Sequence, residues 1–399
     1  MLYDKNKVME YLLYLLSLSF FVGKSYKVVA GLVVIVFLID VFKNKRWEIF
    51  KDQIFIILAL WCIYLFCSAL WAENYIRTMI GSLEVFLWCL LYLSVKYTLT
   101  TNEQIDRFLR VQSVLAIFIV FNIVTQFIFG FNIFGIPIQG ARVTDLFSGH
   151  DRMFSYIFPL WVALFGAMLA SREQTKKRYI LYAIALFGIL LSIPLSGSRG
   201  ALLLLVLFLP LIAWVTPLRK WAFIVLGALV VSSVLMVSTS SVLQARLKTL
   251  AHPFENQRHT RIPIWLTAIE MIKDNPIVGV GFKNFREREF EYYKDSFDSI
   301  EINPKTGAKA SHAHNPWLDI LSEQGVIGAC FALLLLFTIA KMAYKAGTIA
   351  FIGSMGVWYS FSILNAGFVI SSGTWSFFMI LSITFFSIIV NYTKSEYPI

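Results

Sequence analysis

The segment Ser311-His312-Ala313-His314-Asn315-Pro316 brings two of the chain's five histidines within three residues, directly before an apolar helical pattern. Asn315 is a favoured N-cap and Pro316 a favoured first helical residue, so His314 is expected just ahead of a helix start. The positive end of a helix disfavours imidazolium, and a neutral ring there is able to take up a proton. Two readings are open for His314: a general base, or a structural histidine at a junction between membrane and loop. His312 is the reserve for the same role. A metal site is the weaker alternative, because two ligands at i, i+2 with no third His or Cys nearby do not complete a zinc shell.

The second group with chemical potential is basic. Arg258, His259 and Arg261 cluster before a helical pattern running to Lys273, with Pro263 in its first turn. Cations at a helix N-terminus are mildly unfavourable unless an anion joins them, so the cluster reads either as an anion clamp or as a solvated basic turn. Arg199 stands in the tight turn Ser196-Gly197-Ser198-Arg199-Gly200 at the edge of an apolar run. It either snorkels to lipid phosphate or presents its fork to a specific anion. In Asn275 to Phe285 the glycines 279 and 281 mark a turn that carries the chain back toward the membrane. A lone G-x-G is weak evidence for phosphate binding. A shorter polar loop, about 131 to 153, contains Arg142, His150, Asp151 and Arg152.

The elements that must hold these residues are membrane helices. Of 399 residues, 58% are hydrophobic and only 15% charged, and the apolar residues fall in runs long enough to cross a bilayer, roughly 20 residues each. Twelve runs are expected: 8–22, 25–42, 53–71, 76–95, 108–130, 154–170, 179–195, 200–216, 220–238, 325–340, 347–370 and 374–392. The first is followed by no small-residue cleavage site and is read as a retained helix. With the N-terminus inside, eighteen Lys and Arg fall in the inner loops and six in the short outer ones. That bias supports twelve spans with both termini cytoplasmic, and it makes the net charge of +11 a matter of topology, not of nucleic-acid binding.

The expected architecture is therefore all-α and polytopic. Residues 1–238 form spans 1–9, residues 239–324 a large, partly helical outer loop, and residues 325–399 spans 10–12. In the loop helix, Trp265, Ala268, Ile269 and Ile272 are the expected packing stripe. Cys62, Cys67, Cys89 and Cys330 all lie in apolar runs and read as small buried hydrophobes. Glu84 falls in the middle of the fourth run, an intramembrane charge without an evident partner and read as structural.

Taken together, these motifs resemble the O-antigen ligases of Gram-negative bacteria, within the wider O-antigen ligase/polymerase superfamily. His314-Asn315, then nine residues, then Gly325-Val-Ile-Gly328 is one piece of the resemblance. Ser198-Arg199-Gly200 with Leu203 is the second, and Arg261 to Trp265 followed by Asn275 to Phe285 is the third. The resemblance implies a glycosyltransferase of lipopolysaccharide biosynthesis in the inner membrane, with its active site on the periplasmic face. Its donor is an O-antigen polysaccharide on undecaprenyl diphosphate, its acceptor a sugar hydroxyl of lipid A–core. No cofactor, metal ion or nucleotide hydrolysis is implied.

In that setting His314 is the expected base, and Arg199 and Arg261 the expected clamp for the departing diphosphate. Arg258, His312, Asn315, Arg142 and Arg152 are the expected substrate-side residues. A polymerase of the same superfamily is the alternative with nearly the same chemistry. A lipid or sugar transporter is the alternative from another class. It calls for internal repeats and paired intramembrane charges, and the sequence displays neither.

Overall fold

The computed structural model describes residues 5–19, 24–138, 153–170, 176–195, isolated positions between 210 and 244, 261–292, 310–363, 370 and 373–394. Among these the chain is almost entirely helical, with one isolated antiparallel bridge between Phe131 and Pro137. The helices are α1 (Lys5–Ser19), α2 (Ser25–Lys43), α3 (Gln53–Cys67), α4 (Tyr75–Lys96), α5 (Asn102–Phe129), α6 (Met153–Ala170) and α7 (Lys176–Leu195). After these come α8 (Ile262–Asp274), a single turn Phe285–Arg288, α9 (Pro316–Ala346), α10 (Thr348–Ser360) and α11 (Gly373–Lys394). Within the described residues, five helical stretches are long and apolar enough to cross a membrane: α2, α3 with its 3₁₀ continuation to Leu70, α4, α5 and α9. The expected eighth and ninth spans, 200–216 and 220–238, lie largely outside the described residues.

Small residues let the helices approach closely. A Cβ on Gly166 would come within 2.8 Å of Gly353 Cα, so α6 and α10 cross backbone to backbone. The pairs α5–α7, α6–α11, α4–α11 and α3–α9 complete the bundle. Trp88, Tyr92, Phe385 and Phe386 fill its centre, each under 2% exposed. At one end Asp52 caps α3 through Phe55 N–H (3.0 Å) and also takes the Lys96 ammonium (2.5 Å) and the Tyr92 hydroxyl (2.9 Å). This buried knot ties the start of α3 to the end of α4.

Two expectations are corrected here. The eleventh span does not run through 347–370 as one helix, since α10 ends at Ser360 and Phe361 closes a turn back onto Val357. In α8 the buried face is Ile264, Thr267, Ala268 and Met271, whereas Ile269 is 38% exposed and Trp265 and Ile272 are half-buried. The helix carries apolar residues on two stripes, 264–268–271 and 262–266–269, so periodicity alone does not select the inner one.

Candidate functional site

The last turn of α3, the start of α4, α8 and the start of α9 meet at one face of the bundle, and the conspicuous motifs meet there with them. Helix α9 starts as expected. Asn315 accepts from Trp317 N–H (3.0 Å) and Leu318 N–H (3.2 Å), Pro316 occupies the first turn, and the Asn315 amide donates to Ile363 O (3.1 Å). Such a cap contributes about 1 kcal/mol. Both ends of the Asn315 side chain are thus engaged within the protein, holding the helix start.

His314 precedes the cap with a left-handed backbone (φ 53°), one of three non-glycine residues with positive φ among those described. A bulky side chain in that region costs on the order of 1–3 kcal/mol and persists only when its surroundings impose it. They do so through the Asn315 cap on one side and two backbone amides on the other. Ala313 N–H donates to the buried Asp319 carboxylate (Oδ1, 2.5 Å), and Ala310 N–H to the buried Glu289 carboxylate (2.8 Å). Ala310 and Ala313 then pack into a small core with Ile264, Ala268, Met271, Val280 and Phe285. The histidine segment is therefore seated on the inner face of α8. The His312 and His314 rings lie 4.0 Å apart, centroid to centroid, and His312 Nδ1 is 2.8 Å from the Ser311 hydroxyl. Both rings are half-buried.

Arg261 is the N-cap of α8, exposed, at the head of the helix that supports the histidine segment. Arg199, Arg258, Arg142, Arg152, His150 and Asp151 lie outside the described residues.

The motif 275–285 does more than return the chain. Helix α9 is broken at Gly325 (φ 64°, ψ −163°), which frees backbone groups on both sides of the break. The turn supplies their partners: Val326 N–H donates to Pro276 O (2.9 Å) and Ile327 N–H to Ile277 O (3.3 Å). In return, Val280 N–H donates to Ser322 O (2.9 Å) and Gly281 N–H to Glu323 O (3.0 Å). Buried backbone groups freed by such a break need partners from the protein in this way. Glu323, 1% exposed, caps the arrangement by accepting Phe285 N–H (3.1 Å).

The tip of the turn is embedded. Phe282 is fully buried in the main core, and its backbone is held by Ser68 (3.2 Å) and Thr78 (2.8 Å). Asn284 bonds to Asn74 N–H and to the Thr78 hydroxyl, both at 2.8 Å. Gly328 leaves room for the Gln324 side chain, whose oxygen accepts from Trp61 Nε1 (2.8 Å). Tyr64 OH donates to Gln324 O (2.6 Å) and Val278 O (3.1 Å).

The partners of Glu84 are now visible. Lys283, again with positive φ (63°), runs its alkyl chain past Gly81 and sets its ammonium 3.5 Å from one Glu84 oxygen, while Lys27 from α2 pairs with the other. Burial pulls the Lys283 ammonium below the ordinary lysine range, with Glu84 and Glu323 opposing. Nearer the surface, Glu287 joins Arg77 (2.6 Å) and Arg286 (2.8 Å). Burial works against its charge, but Arg286 and Arg77 hold the carboxyl below the ordinary range.

No sequence motif singles out Asp319, Glu323, Glu289 and Lys283 as members of this face. The signal available was two acids and an amide, Asp319, Glu323 and Gln324, inside an otherwise apolar helix start.

Apolar helices of spanning length and a polar, backbone-knitted face with a constrained histidine fit a helical membrane protein with a candidate site at one end of its bundle. Residues 183–333 match the family model described as O-antigen ligase, which bears out the resemblance drawn from the motifs. The matched stretch contains the Arg199 turn, Arg261 to Trp265, Asn275 to Phe285 and His314 to Gly328. The likeness over these residues points to a glycosyltransferase-like membrane enzyme of O-antigen processing. No curated protein matches the chain.

Proposed function

We propose that this protein is an O-antigen ligase that moves O-antigen polysaccharide from undecaprenyl diphosphate to a sugar hydroxyl of lipid A–core, without a metal ion. The observation that carries the reading is His314, held in a left-handed backbone ahead of the Asn315 cap by hydrogen bonds on both sides. Residues whose strained backbone is imposed by their surroundings concentrate at working sites. A half-buried imidazole before a helix N-terminus suits a group that must be neutral before it takes a proton.

In the proposed step, the acceptor hydroxyl oxygen attacks the anomeric carbon from the face opposite the diphosphate. The C1–O bond breaks and its electron pair leaves on undecaprenyl diphosphate. The hydroxyl proton passes to His314. Attack from the opposite face inverts the anomeric centre. Negative charge grows on the leaving diphosphate, and the forked donors of Arg199 and Arg261 are assigned to it, with Arg258 beside them. His312, Asn315, Arg142 and Arg152 are assigned to the substrate side.

The reading includes twelve spans in the inner membrane, cytoplasmic termini and a periplasmic loop over 239–324 between the ninth and tenth. The division into residues 1–238, 239–324 and 325–399 goes with it. Lipopolysaccharide from a deletion strain tests the reading. A ligase leaves bare core beside full-length glycan on its carrier. Core bearing a single repeat would instead assign the protein to polymerisation.

A further inference from the structure

Three buried carboxylates on this face accept backbone amides from neighbouring segments: Glu323 from Phe285, Glu289 from Ala310 and Asp319 from Ala313. The third is adjacent to the histidine. Asp319 sits on the first full turn of α9, where its own N–H donates to Asn315 O (2.9 Å). Its side chain, only 3% exposed, reaches back past the cap and takes Ala313 N–H at 2.5 Å. An ordinary helix start satisfies its own first-turn amides and stops there. Here the reach extends two residues before the cap, so that the residues on either side of His314 are both anchored to α9, Ala313 through Asp319 and Asn315 through its own side chain.

From this geometry we infer that Asp319 is a positioning residue for His314: by capturing Ala313 N–H it imposes the left-handed backbone that aims the imidazole. The inference rests on the reading of His314 as proton acceptor. Without the acceptor, His314 relaxes toward the common negative-φ regions, and its ring direction changes with the backbone. Displacement of a reacting group by about 1 Å costs on the order of 10²-fold in rate. Carrier and acceptor binding do not depend on that aim.

The acceptor atom, not the charge, is what the arrangement needs. Asp319 Oδ2 has no hydrogen-bond partner among the described residues, so an amide fits the same place with its oxygen toward Ala313.

The test uses the full-length protein in detergent, with lipid-linked glycan and core acceptor, comparing Asp319→Asn, Asp319→Leu, His314→Ala and the double variant His314→Ala/Asp319→Leu. Asp319→Asn is expected to stay within about threefold of the parent kcat. Asp319→Leu is expected to lower kcat by about 30-fold or more, with KM for the donor unchanged. In the double variant, Asp319→Leu should add no further loss of rate to His314→Ala, because the two act as one unit. The inference is overturned if Asp319→Leu keeps the parent kcat, if Asp319→Asn loses as much as Asp319→Leu, or if kcat and donor KM deteriorate together. Should Asp319→Leu fail to fold, Asp319→Asn still decides, since loss of kcat there contradicts the inference. His314→Ala reports separately on the base assignment: near-parent transfer by that variant sinks the reading of His314 itself, whatever Asp319 does.

Discussion

Gly279 and Gly325 each press on the backbone next to the other at the break in α9, and neither has room for a methyl group. A Cβ on Gly279 would lie 2.3 Å from the Glu323 carbonyl carbon, and one on Gly325 would lie 2.2 Å from Ile277 O. Both also have left-handed backbones (φ 69° and 64°), so their side-chain-free state is required twice over. The contact joins the turn 275–285 to the helix that starts after the histidine.

Alanine at either position should separate turn from helix. We expect Gly279→Ala and Gly325→Ala each to lower stability by about 3 kcal/mol or more, from backbone strain plus the clash. The double variant should cost clearly less than the sum, since the first change already breaks the shared contact. Thermal unfolding in detergent checks this, and strict additivity would argue that the two glycines act independently.

Glu84 holds two cations, so its loss and the loss of Lys283 should differ. Glu84→Gln leaves the Lys283 ammonium buried without its carboxylate and should cost a few kcal/mol, in the range for breaking a buried pair. Lys283→Met keeps the alkyl contact with α4 while Glu84 retains Lys27, and should cost less than half as much. The order of the two melting temperatures is the readout. Equal losses would mean that the turn is held by packing alone.

The Glu287 link carries a pH dependence of definite sign. Its folded carboxyl lies below the ordinary glutamate range, so the link with Arg77 and Arg286 contributes fully at neutral pH. It is lost as the pH falls through that lowered value, beneath the ordinary glutamate range. Glu287→Gln should therefore destabilise at pH 7 and narrow the gap to the parent on acidification. A gap that widens on acidification would reverse the sign and refute the assignment.

What was legible in the sequence had local causes. The Asn315-Pro316 start of α9 follows from cap chemistry that operates within four residues, and the long apolar helices follow from runs that no loop can hide. The break at Gly325 was not legible, because its backbone partners lie at 276 and 277, far away along the chain. The same holds for Glu84, whose partner Lys283 is 199 residues distant. In α8 the sequence offers two apolar stripes, and only the histidine segment and turn 275–285, once folded, select Ile264, Ala268 and Met271. The nine-residue spacing from Asn315 to Gly325 has a physical meaning that a motif does not disclose: it is the length of helix between the cap and the break.

Arginine chemistry offers a test that is independent of the histidine. Arg261→Ala and Arg199→Ala should each lower transfer by about 10²–10³-fold, and lysine should rescue poorly because it lacks the two-pronged donor. Steady-state transfer rates check this. Full rescue by lysine at both positions would reduce the assigned clamp to simple charge attraction.

The most direct test of the whole account is transfer in vitro by the purified protein, from lipid-linked glycan to core acceptor, with EDTA present and no ion gradient. The account predicts glycan-bearing core from the parent and only a residual rate, lower by orders of magnitude, from His314→Ala at equal folded yield. Near-parent transfer by His314→Ala, or a parent protein that EDTA silences, would contradict it.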